Sequence, residues 1–148
     1  MQVNSFGFKK VYGIDLGTSI LLYQNNSRDY APSSCYNNAF ACLGNNIKTY
    51  KTNKAIIGYV LSTNGIIKVA VRHAWNEISG IKVDVTMIAN DENPMSILQY
   101  SYLPIRVMTS EEFLNAIEAN NNLPCLPITK EERNYRKLLK HKGFQILE

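Results

Sequence analysis

The chain lacks any apolar run approaching the roughly 18 residues a membrane-spanning helix needs, and its opening MQVNSFGFKKVYG lacks the charged-then-apolar layout of a secretory signal. A protein made without export and kept off the membrane is the expectation, with a cytoplasmic setting. Cysteine is scarce and odd in number: Cys35, Cys42 and Cys125, with no CxxC pair and no histidine at metal spacing. That excludes a disulfide framework and a structural zinc site, and leaves at least one free thiol. No metal and no organic cofactor is implied. Charge is also modest, 19% of residues with a net +4, so a partner of negative charge is allowed but not demanded. With 45% apolar residues the composition is neither that of a disordered chain nor of collagen or a coiled coil.

What is abundant is asparagine, with doublets at Asn25, Asn37 and Asn45 and a triplet at Asn120, a usage that fits the AT-rich genome of a phage or low-GC bacterium. At 148 residues the chain makes one core of ordinary size, so residues 1–148 are read as a single domain. No internal repeat and no long linker divides it.

The apolar stretch from Val11 to Gln24, broken by DLGTS, reads as two short strands or a strand and a turn. Pro32, Ser33 and Ser34 make a helix start, and CYNNAFACLGNN continues the helix to Gly44. Three strand candidates follow, AIIGYVL, GIIKVAVRHAW and IKVDVTMIA, joined by the turns STNG and EISG into an antiparallel meander. DENP is a loop and SYLPIRVM another strand. Two helices close the chain: TSEEFLNAIEANN, with Thr109 three residues before Glu112, and TKEERNYRKLLKHKG, with Thr129 before Glu132, a stop at Gly143, and acids early and bases late as the helix dipole favours, which explains its charge run. One helix followed by an antiparallel sheet and C-terminal helices is an α+β plan.

Three side chains carry chemistry in this arrangement. Cys35 opens a helix, where unpaired N–H groups and the positive end of the dipole favour thiolate over thiol. His73 and Asp84 sit on two segments joined by a short turn, and if they share a sheet face the carboxylate can fix the ring's tautomer while the ring activates the sulfur. Register decides whether they do. Asp84 is the sharper anomaly, because a carboxylate between Val83 and Val85 is costly to bury without a partner.

A cysteine opening a helix in CYNNAFACLG, a strand of GYVL type, HAWNE, a turn and a strand with VDVT together resemble the core of transglutaminase-like cysteine enzymes, a branch of the papain-like superfamily. The resemblance covers about residues 33–86. It implies a nucleophile-bearing helix packed on an antiparallel sheet, with Cys35 as nucleophile, His73 as general base and Asp84 orienting it. The activity implied is acyl transfer from an amide through a thioester: a peptidase, amidase or glutamine deamidase with water as acceptor, a transglutaminase with an amine. Hydrolysis is the expectation, since nothing identifies an amine site. The upstream oxyanion glutamine or tryptophan of that family has no firm counterpart here. Gln24 and Tyr30 are the candidates, with Trp75 as core or cleft wall. A protein or peptide-like substrate follows, with no membrane.

Blander readings apply to the rest. Cys42 and Cys125 are read as packing cysteines. GIDLGTS, Gly13 to Ser19, is similar to the first phosphate loop of actin-like ATPases, but that fold needs a much longer chain with further nucleotide-binding segments, and a turn accounts for the word. The rival to an enzyme is a binding module contacting nucleic acid through Lys130, Arg133, Arg136, Lys137, Lys140 and Lys142. Their spacing is not read as confining all six to one face and no aromatic platform accompanies them, so nucleic acid ranks lower.

Overall fold

The computed structural model describes residues 4–90 and 93–147. Asp91 and Glu92 of the DENP loop, and the first three residues of the N-terminal segment, lie outside the described residues. The centre is an α+β arrangement around a sheet ordered β3-β2-β1-β4, all antiparallel, formed by β1 (Lys54–Thr63), β2 (Lys68–Ile78), β3 (Ile81–Val83) and β4 (Ser101–Thr109). The β1–β2–β3 meander is the expected one. Ser79 and Gly80 close its second turn at φ 52° and 80°, the pair of left-handed residues that a two-residue hairpin demands.

Helices cover both faces. α2 (Cys35–Asn45) and α4 (Ser110–Ala119) pack Ala39, Cys42, Leu43, Phe113 and Ile117 against Ala55, Ile57 and Ala74. α5 (Lys130–His141) places Leu139 beside Tyr59 and Leu61. The opposite face, with Ile56, Val60, Trp75 and Tyr102, is closed by α1 (Leu16–Asn25) and the short α3 (Val85–Asn90). Both sequence-level caps form: Thr109 and Glu112 make a complete capping box, and the Thr129 side chain accepts the Glu132 amide.

Two segments depart from expectation. Val11 to Gln24 is not a pair of strands: Tyr12 makes one isolated bridge to Tyr102, and the remainder is α1. The Asp15 carboxylate accepts the Thr18 amide at 2.8 Å, so DLGTS is a helix start rather than a turn between strands, and this cap outweighs the strand preference of the following Ile and Leu residues. The IKVDVTMIA strand also ends early, at Val83, because Asp84 starts α3 with Oδ1 accepting the Met87 amide at 3.3 Å. One strand was not anticipated: β5 (Phe144–Leu147) pairs in parallel with β2 after α5 stops at Gly143, φ 92°.

The β5 addition shapes everything that follows. β5 pairs with residues 68–71 of β2, and β3 pairs with residues 76–78 on that same edge. Between them Arg72 to Trp75 have no strand neighbour on that side among the described residues. The sheet therefore has a notch, and residues from its two faces can meet there.

Gly58 lies across from this notch, paired with His73 at a register shift in the β1–β4 ladder. A Cβ at this position would collide with the Leu103 carbonyl oxygen and meet the Trp75 ring at 2.9 Å. Gly58→Ala should therefore destabilise the protein by at least about 2 kcal/mol in urea unfolding, at the upper end of overpacking costs. A change within 0.5 kcal/mol would contradict this packing.

Candidate active site at the notch of β2

His73 is contributed by β2 on the face it shares with Trp75. Continuing the β2–β3 register one step past Asn76↔Val83 sets Asp84 opposite Trp75, on that same face and diagonal to His73. The Asp84 carboxylate then reaches the ring: Nε2 to Oδ2 is 2.7 Å, and His73 is only 6% exposed and Asp84 1%. Tyr102 donates its hydroxyl to the same Oδ2 at 2.6 Å, and the Asp84 amide donates to Ser19 Oγ at 3.0 Å. Ser19 Oγ in turn donates to the Asp15 carbonyl, so the helix start at DLGTS anchors the acid. The cost of burying this carboxylate is thus offset by two strong donors and a helix-capping amide.

Cys35 approaches from the other side of the sheet. α2 lies on the face of Ala74, and its first residue stands at the notch, where the half-buried thiol lines one cleft of about 530 Å³ together with His73. The turn leading into it is tied down at several points. Ser33 takes φ 59° and donates its amide to Asn90 Oδ1 at 2.7 Å. The fully buried Asn38 bonds both amide and carbonyl of Ala31 and donates to Thr86 Oγ1 at 2.9 Å. These bonds join the segment before Cys35 to α3, which Asp84 caps.

Arg72 braces the same corner. Its guanidinium makes a two-point pair with the buried Glu132, at 2.6 and 3.0 Å, and donates to the Tyr36 hydroxyl and the Leu126 carbonyl, each at 2.9 Å. The residue beside His73 is thereby bonded to the residue beside Cys35. Burial and the Arg72 charge act in opposite directions on the Tyr36 phenol, and burial prevails, raising its pKa.

Burial alone would discharge the His73 ring, but the adjacent Asp84 carboxylate and its hydrogen bond overcome this, with a smaller contribution from the nearby Cys35 side chain. Its pKa rises from 6.5 to about 10. With Nε2 committed to Asp84, Nδ1 is the ring nitrogen left for the sulfur. Tyr102, buried and beside Asp84, is held far above the usual phenol range and stays a donor.

Gln24, Tyr30 and Trp75, the other site candidates, do not line the cleft. Gln24 is on the exposed side of α1. Tyr30 is packed in the α2 core, its hydroxyl accepting from Asn45 Nδ2, and Trp75 is 1% exposed with its indole N–H on the Tyr12 hydroxyl. Trp75 instead stacks beside the His73 ring at 6.1 Å between centroids. Cys42 is buried, and its thiol is pushed up to about 12 chiefly by that burial. Cys125 is not the packing cysteine expected: it is exposed on the cleft wall with Ile128. Tyr102, Ser19 and Arg72 escaped the sequence reading. Tyr102 lies 18 residues beyond Asp84, with no local motif to link them. Among the described residues no cluster of ligating side chains could hold a metal.

No protein-family model, curated protein or solved structure matches the chain.

A ring whose pKa is raised on folding lends stability that is whole below about 6.5 and is lost as pH climbs through about 10. Urea unfolding across that window should show this loss in the wild type. Asp84→Asn should abolish this pH dependence and cost about 3–5 kcal/mol near pH 6, as expected for a buried pair stripped of one partner. Identical pH profiles for the two proteins would contradict the assignment.

Proposed function

We propose that this chain is a thiol-dependent acyl-transfer enzyme of the transglutaminase-like, papain-like kind, acting on an amide by hydrolysis. The observation that carries the reading is the buried His73–Asp84 pair at 2.7 Å, opening onto the same cleft as a cysteine at a helix start. The helix-borne cysteine beside an antiparallel sheet supports it as well.

In this reading the Cys35 thiolate attacks the amide carbonyl carbon, and the oxyanion that forms is met by amides of the first turn of α2. His73, protonated, gives its proton to the leaving nitrogen as the C–N bond breaks, which leaves a thioester on Cys35. His73 then takes a proton from water, the hydroxide attacks the thioester, and the carboxylic product departs as the sulfur is released. Asp84 keeps Nε2 protonated and the ring oriented throughout, so Nδ1 handles both transfers. Tyr102 is a positioning residue that acts through Asp84.

Alkylation by iodoacetamide, followed site by site in a mass spectrometer, tests this. Cys35 should label at pH 6, while the buried Cys42 stays inert. His73→Ala should slow Cys35 labelling at pH 6 by about tenfold or more. Labelling of Cys35 that tracks an ordinary thiol and ignores His73→Ala would overturn the proposal.

A further inference from the structure

Four bases of α5 lie on one outward face. At about 100° per residue, Lys130, Arg133, Lys137 and Lys140 fall within an arc of about 80°, opposite the buried Glu132 and Leu139. All four are exposed. Among the described residues the ion pairs join Lys54 and Lys82 to Glu77, Arg72 to Glu132 and His73 to Asp84, and none of them neutralises this stripe. Like charges three and four residues apart destabilise a helix, and Lys130 and Arg133 stand at its positive end, where the dipole opposes them. Lys140, in the last turn, gains from the dipole, whereas Lys130 and Arg133 do not.

The stripe begins at the cleft. Arg133 Nη1 donates to the Ile128 carbonyl at 3.2 Å, and Ile128 lines the cleft with Cys35 and His73. The residue before Arg133, Glu132, is fixed to Arg72 in the cleft wall. Inside the cleft, Arg72 is neutralised by Glu132, and Val60, Val71 and Met87 present apolar surface. Lys130 to Lys140 spans about 15 Å, the length of about five residues of extended chain.

We propose that the α5 stripe is a docking surface for an acidic stretch of a polypeptide substrate, about five residues long, which holds a neutral segment of that polypeptide over Cys35. This rests on the acyl-transfer reading for its polypeptide partner. The stripe carries no aromatic side chain on which a base could stack, which favours polypeptide over single-stranded nucleic acid.

Fluorescence anisotropy on the full chain tests it, with a fluorescein-labelled peptide of alternating Glu and Ala and its Gln counterpart. The Glu peptide should bind about tenfold or more tightly than the Gln peptide, and lose that margin in high salt. Arg133→Glu with Lys137→Glu should remove the preference, as should Lys130→Glu with Lys140→Glu, while the alkylation rate of Cys35 is unchanged in both. Equal binding of the Glu and Gln peptides, or tighter binding of a duplex oligonucleotide that both double variants abolish, would overturn the proposal. Binding is read without turnover, so it succeeds or fails independently of Cys35 reactivity.

Discussion

One buried hydrogen bond, from His73 Nε2 to Asp84 Oδ2 at 2.7 Å, sets the terms for the rest of the site. Neither group could be buried alone, since an isolated carboxylate or imidazolium in an apolar setting would neutralise or force the structure open. Together, with Tyr102 and the Met87 amide on the carboxylate, they are satisfied, and no buried side-chain nitrogen or oxygen among the described residues lacks a partner. The pair also fixes which ring nitrogen faces the cleft.

The notch in β2 is the second constraint. α2 and His73 lie on opposite faces of the sheet, and an unbroken strand along the β2 edge would part them. Among the described residues β3 ends at Val83 and β5 pairs as far as Val71, and the ring and the tip of α2 line one cleft between them. The early end of β3 has a plain cause: Asp84 caps α3, and the same carboxylate that stops the strand holds the histidine. Arg72 then braces the corner, bonding Tyr36 beside Cys35 to Glu132 of α5.

Much of this was legible in the chain. The meander, the helix beginning at Cys35, β4 and the two capped C-terminal helices follow from period, turn residues and local caps, all short-range signals. The three residues singled out for chemistry, Cys35, His73 and Asp84, line or adjoin one corner of the molecule. The failures share a cause as well. The apolar residues after DLGTS and those of VDVT suggest strands, with DLGTS a turn, whereas Asp15 and Asp84 cap helices in both words, and capping outweighs propensity. β5 was missed because FQIL gains its partner only through a parallel pairing more than 70 residues back. Tyr102 and Arg72 were missed for the same reason: their partners are distant in sequence and no spacing rule connects them.

The account depends most on the Cys35 sulfur and the His73 ring sensing one another. Nitrogen-15 NMR of the histidine side chains measures this directly, with Cys35 free and then capped by iodoacetamide. The account predicts a His73 ring whose Nε2 keeps its proton throughout, whose Nδ1 titrates well above 6.5, and whose titration moves down once the sulfur can no longer carry charge. A His73 titration near 6.5 that is indifferent to capping would contradict it.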